Sequence, residues 1–162
     1  MAVDKTILQM LAPKGVLRAG INMANFLLVS STHKDGTPVG VSPDVAIRIA
    51  EELDVPCEFV LFDGPGQLAD AADDNIWDIG NIAIEPARAE VMDFSHPYVQ
   101  IDANFLVKKD APFTSNVSVD NVGVTIAAYE RSAYDLWLSQ HLTNATIVRS
   151  DTIGASHDMF RE

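Results

Sequence analysis

Cysteine is almost missing from this 162-residue chain: Cys57 stands alone, so no intrachain disulfide can form and no Cys/His zinc set can be assembled. Basic residues are scarce too, 11 against 23 acidic ones, for a formal net charge of −12. A nucleic-acid partner is excluded, because neutralising phosphates needs a basic stripe that is not there. No apolar run approaches the roughly 18 residues of a membrane helix. The start, Met1-Ala2-Val3-Asp4-Lys5, lacks the basic stretch and apolar block of a secretory leader. The chain is therefore expected either to stay in the cytoplasm or to have lost a leader. The four histidines are dispersed without metal-binding spacing, and Asp70, Asp73 and Asp74 do not follow a calcium-loop pattern. No G-x-S-x-G elbow occurs. These absences point away from a resident metal or cofactor.

What is present reads as a folded protein. Hydrophobic residues at 48% and charged ones at 21% suit a globular chain, and the length suits one domain or two small lobes. A short helix carrying Ile7, Leu8 and Leu11 ends at Pro13-Lys14-Gly15, and Val16–Ile21 follows as a first strand. Lys34-Asp35-Gly36-Thr37 marks a hairpin tip. A helix is expected over Ser42–Leu53, with Ser42 as N-cap, Pro43 where its missing N–H costs nothing, and Val45, Ala46, Ile49, Ala50 and Leu53 on one face. Cys57–Phe62 is a second strand. Gly64-Pro65-Gly66 opens a helix through Leu68 and Ala72, and Trp77–Ile82 is a third strand. Short links between strands and helices predict parallel strands with right-handed crossovers, covered by helices on both faces.

The pattern restarts later in the chain. An extended stretch, Val99–Lys108, precedes a strand at Gly123–Ala128 and a helix over about Ser132–Leu142. That helix has Tyr134, Trp137, Leu138 and Leu142 on one face, with Ser132 and Asp135 forming a capping box. A strand near Ile147-Val148 and a helix from about Thr152 follow. We read two α/β lobes, residues 1–103 and 104–162.

In open α/β sheets ligands lie beyond the carboxyl ends of the strands. That rule selects Asn22–Phe26, Gly64–Gln67, Ala83–Arg88 and Tyr129–Ser132, facing a cleft between the lobes. Gly64 to Ala69 matches a dinucleotide fingerprint in form, but Pro65 removes a needed donor and the motif follows the wrong strand. Arg88 could grip a carboxylate through two parallel hydrogen bonds, or pair with Glu85 or Glu90. Ser132 opens a helix directly after a strand, which is either an anion site or an ordinary cap.

Gly15–Asn22, Gly40–Asp44 and Trp77–Gly80 together resemble extracellular solute-binding proteins of the polar amino-acid uptake family. Glu85-Pro86-Ala87-Arg88 followed by Asp93–Tyr98 is similar to that family's T-P-E-R … F-S-x-P-Y segment. The resemblance implies a type II periplasmic-binding-protein fold, two α/β lobes joined by hinge strands, closing over an amino acid or related small acid for an ABC importer permease in the periplasm. It implies that Arg88 grips the ligand α-carboxylate, that Phe26, beside Asn25, walls the pocket, and that Ala83 and Glu85 line it. Arg131 and Ser132 would complete the carboxylate site, and Val99–Lys108 would hold the first hinge crossing. Glu85 departs from the family's threonine and could recruit a cationic group.

Relatives continue past the point corresponding to Glu162, so the second lobe is expected to be incomplete, with weakened ligand binding and self-association into a homo-oligomer through the exposed lobe. Two other classes stay open: a dehydratase on the same scaffold, using Glu85 as acid or base, and a remnant that binds nothing small.

Overall fold

A computed structural model describes residues 4–162; Met1 to Val3, part of the stretch read above for a leader, lie outside the described residues. Contacts divide the chain into two compact units, the first running to Asp93 and the second spanning Phe94–Glu162. The expected lobe boundary at 103/104 falls within the second unit. Among the described residues, no helix is long and apolar enough to cross a membrane.

In the first unit, helix α1 (Lys5–Leu11), capped by the Asp4 carboxylate, leads into strand β1 (Leu17–Asn22). A small antiparallel hairpin, β2 (Ser31–Thr32) and β3 (Pro38–Val39), turns at the expected tip. There the Thr37 amide bonds the Asp35 carboxylate and holds its pKa below the usual range. Helix α2 (Val41–Leu53), strand β4 (Cys57–Phe62), helix α3 (Pro65–Asp70), strand β5 (Ile79–Asn81) and the single turn α4 (Pro86–Ala89) follow. The sheet order is β4-β1-β5, all parallel, with Leu17 beside Cys57 and Ala19 beside Ile79.

Alternation along β1 assigns its two faces. Leu17, Ala19 and Ile21 are fully buried toward α2, where Ala46, Ala50 and Leu53 meet them. Gly20 and Gly80, side by side on the other face, leave room for Leu68 and the Trp77 indole. Arg18, on that face too, is buried. Its Nε and its backbone N–H both bond the Asp78 carboxylate at 2.9 Å, and a guanidinium NH2 group reaches the Asn75 side chain at 3.0 Å. The bond to Asp78 pushes the Arg18 pKa further up.

Three expectations are corrected here. The N-cap of α2 is Gly40, not Ser42, which lies in the first turn. At φ 144° a Cβ on residue 40 would sit 2.4 Å from the Leu28 carbonyl oxygen, so backbone packing, not a side-chain acceptor, sets this helix start. The third strand is shorter than Trp77–Ile82, because Trp77 is spent on covering the paired glycines and Asp78 on Arg18. Helices do not cover β4 completely: as an edge strand it has no buried residue, and Glu58 and Leu61 are exposed.

The second unit begins with residues that enter no ladder. Val99–Lys108, expected to be extended, takes part in no strand pairing, although Phe105 packs on the unit's core. A 3-10 turn at Asn116–Val119 was not expected from the sequence. Strand β6 (Thr125–Tyr129), helix α5 (Ala133–His141), strand β7 (Thr146–Ser150) and helix α6 (Ile153–Arg161) complete it. β6 and β7 pair in parallel, Thr125 beside Thr146 through Tyr129 beside Ser150. The core is Val119, Ile126, Ala128 and Leu138. Tyr134 and Trp137, expected on one face with Leu138 and Leu142, are each 48% exposed where Leu138 is buried, and the Trp137 ring stacks on His141 at 4.2 Å. The Asp120 carboxylate accepts the amides of Thr143, Asn144 and Ala145 at 2.8–3.0 Å, closing the loop between α5 and β7.

Candidate functional site

The first unit presents three segments at the carboxyl ends of its strands. After β1, the Asn22 side chain accepts the Ala24 N–H, and the Met23 N–H bonds the Phe62 carbonyl at the end of β4. The Asn25 carbonyl accepts the N–H groups of Leu28 and Val29 at 3.0 and 2.8 Å, and its side chain accepts that of Leu27. These bonds fold residues 22–29 into a compact turn whose inner side, Leu28 and Val29, is buried. The same turn holds Phe26 outward, 61% exposed. An aromatic ring so exposed gains little from folding and is available to a ligand.

After β5, Ala83 and Ile84 are exposed and Glu85 is the N-cap of α4. The Glu85 carbonyl receives the N–H groups of Arg88 and Ala89 at 3.0 Å. Arg88 is buried, 4% exposed, and its guanidinium donates to the Ala83 carbonyl at 3.0 Å. Ala83, Glu85 and Arg88 are thus brought together in one turn of the chain, and the bond to Ala83 sets the direction of a planar fork suited to carboxylates. The fingerprint-like segment after β4 is a tight strand-to-helix turn, with Gly64 as N-cap, Pro65 in the first turn and the Gln67 side chain accepting the Asp63 N–H.

The second unit places Arg131 and Ser132 where β6 passes into α5. Arg131 has φ 57°, a left-handed conformation that costs a non-glycine residue of order 1 kcal/mol or more. Asp135 stabilises it, because its carboxylate accepts the Arg131 N–H at 2.8 Å. The Ser132 hydroxyl accepts the Asp135 N–H and donates to the Tyr129 carbonyl, and it is buried. The expected capping box is therefore shifted: the returning carboxylate bond goes to residue 131, not to Ser132. Arg149 pairs with Asp135 at 2.9 Å and donates to Ser139.

Sequence reasoning missed Asp135 as the support of Arg131, and Arg149, which joins it from the next strand. It also missed Asn81, whose side chain donates to the Ser42 carbonyl at 3.1 Å. The strand-end rule could have found Asn81, since a polar residue closing an apolar strand needs a partner.

The model of the bacterial extracellular solute-binding proteins, family 3, matches residues 17–157. No curated protein matches the chain. Among solved structures, the chain is similar to the ancestral amino acid-binding protein AncCDT-1, a precursor of cyclohexadienyl dehydratase, at 24% identity and TM-score 0.77, covering 96% of this chain and 69% of that one. It is similar to holo ArgBP from T. maritima at 25% identity and TM-score 0.69, covering 98% and 68%. It is also similar to the cysteine-binding protein from Campylobacter jejuni at 24% identity and TM-score 0.74, covering 96% and 63%. The chain thus spans about two thirds of the length of these relatives, and its fold is of the type II periplasmic-binding-protein class, incomplete against theirs.

Proposed function

Because the chain belongs to the bacterial extracellular solute-binding proteins, family 3, we propose that it is a solute-binding module for an amino acid or related small carboxylic acid. Arg88 grips the ligand α-carboxylate, Phe26 beside Asn25 offers an aromatic surface, and Ala83 and Glu85 line the site. In the second unit, Arg131 and Ser132 are the proposed carboxylate-binding residues. The observation that carries this reading is the buried Arg88 guanidinium, oriented by the Ala83 carbonyl at a strand end. A planar fork held in a fixed direction loses less freedom on meeting a carboxylate than a surface arginine would. Glu85, one turn away, suits a ligand that also carries a positive charge, and relatives named for arginine and cysteine binding agree with an amino acid.

An importer permease is the proposed partner and the periplasm the proposed compartment, by analogy with the family's extracellular members. Self-association through the second unit is supported by its two-stranded sheet, both of whose outer edges lack a strand partner among the described residues. A second reading, a dehydratase using Glu85, is favoured only by the descent of such an enzyme from AncCDT-1. Prephenate turnover that disappears in Glu85→Gln would carry it.

The binding proposal is tested by thermal shift with L-arginine, L-lysine, L-cysteine and L-glutamate. At 100-fold excess over Kd, a true ligand stabilises by about 2.7 kcal/mol. Arg88→Ala is expected to remove the shift. No shift with any of the four, or an equal shift in Arg88→Ala, overturns the proposal.

A further inference from the structure

The two loops of the first unit that carry the proposed site are joined by one continuous path of hydrogen bonds, and it runs outside the site. The Asn25 carbonyl receives the Leu28 N–H at 3.0 Å. The Leu28 carbonyl receives the Ser42 N–H at 3.0 Å, in the first turn of α2. The Ser42 carbonyl receives the Asn81 side-chain amide at 3.1 Å. Asn81 is the last residue of β5, two residues before Ala83, whose carbonyl orients Arg88. We infer that Asn81 is a positioning residue, fixing the distance between the Phe26 loop and the Ala83–Arg88 turn by way of Ser42.

Three features give this path the stiffness the role requires. Ser42, Leu28 and Val29 are buried, so water does not compete with the bonds between them. Gly40 packs directly against the Leu28 carbonyl, which no residue with a Cβ could do, so the start of α2 and the Phe26 loop cannot slide past each other. Asn81 lies beside Ile21 in the parallel ladder, on the face that α2 covers, and Ile21 is fully buried. An amide is the group this place calls for. Its partner is a carbonyl, so only the N–H side of the side chain can face it. The Ser42 carbonyl, inside α2, has a second lone pair for the Asn81 amide; an apolar side chain of that size would lose this bond, and a carboxylate would repel the carbonyl.

The role rests on the proposed binding reading, but its test does not depend on it. Hydrogen exchange is followed by NMR on the full chain without ligand, comparing Asn81→Ala and the isosteric Asn81→Asp with the unsubstituted chain. The expected result is exchange faster by about tenfold at the amides of Leu28, Val29 and Ser42, and also at those of Arg88 and Ala89, with the β1–β4 ladder unchanged. Change on one side only, no change, or change spread through the ladder overturns the inference. L-arginine titrated by calorimetry is the second readout. If the unsubstituted chain binds it, both variants should bind about tenfold more weakly when measured well below their Tm, and an unchanged Kd overturns the inference. If the unsubstituted chain does not bind it, that result counts against L-arginine as ligand, while exchange still decides the role of Asn81.

Discussion

The two units are built from the same parts, parallel strands and crossover helices, yet they bury them to different depths. In the first, β1 has a strand on each side, and Leu17, Ala19 and Ile21 are wholly removed from water. In the second, β6 has one strand neighbour among the described residues, its buried members Ile126 and Ala128 keep 9% and 5% exposure, and α6 packs on it without a single buried residue. The strands are similarly apolar, so composition does not make the difference. A parallel strand is buried only when neighbours occupy both edges as well as both faces. The first unit buries both partners of an ion pair, Arg18 and Asp78, whereas in the second the buried Asp135 carboxylate pairs with a partly exposed Arg149 and Asp120 caps an exposed loop.

The contrast is broken most severely at Asp78. Asp78→Ala leaves the Arg18 guanidinium buried without its carboxylate, a loss of about 3–5 kcal/mol for such a pair. In a Trp137→Phe background, Trp77 fluorescence during urea unfolding reports the first unit and should show this fall in midpoint. A loss under about 1 kcal/mol would mean that Arg18 is solvated and that the first unit is no better closed than the second.

A smaller effect is expected at Ser132. Ser132→Ala removes the cap of α5 and should cost about 1 kcal/mol. Because the second unit has fewer buried contacts to share the load, the loss should appear as faster amide exchange throughout α5, with α2 unaffected. Equal loosening of both helices would show that the units unfold as one.

Much of this arrangement can be read from residue pattern alone, because it depends on near neighbours. Cys57–Phe62 is a strand over the expected residues, the hairpin tip at Lys34–Thr37 turns where glycine and aspartate direct it, and Arg88 lies in a turn after β5 as expected. What escapes the pattern is distant or made by backbone. Arg18 and Asp78 are sixty positions apart, and nothing local to either announces the other. Gly40 caps α2 through its lack of a Cβ against Leu28, while Ser42 carries the side chain that propensity favours. Tyr134 and Trp137 satisfy helical periodicity with Leu138 but lack a surface to meet, since periodicity assigns a face without supplying what covers it. At the site, residue types at strand ends were visible; the path through Ser42 to Asn81 was not, because two of its three bonds run from backbone to backbone and the third also accepts at a backbone carbonyl.

The least change, and the one that sharpens the contrast most finely, is in pH. Each unit has a loop carboxylate held below its ordinary pKa by backbone amides, Asp35 through Thr37 in the first and Asp120 through Ala145, Thr143 and Asn144 in the second. Three amides from the loop it closes make the depression the larger at Asp120. A depressed folded pKa contributes stability that is fully present above the unfolded value, about 3.9, and is lost as pH falls through the folded one. Both units should therefore weaken below about pH 4, the second more than the first. Urea midpoints read from Trp137 in a Trp77→Phe background, and from Trp77 in the Trp137→Phe background, should diverge as pH is lowered. Asp120→Asn cannot gain a proton in this range, so it should lower the Trp137 midpoint near neutrality and flatten its acid dependence until the two units respond alike. A Trp137 midpoint as acid-sensitive in Asp120→Asn as before would assign the effect to other carboxylates and remove the loop cap from the account of how the second unit holds together.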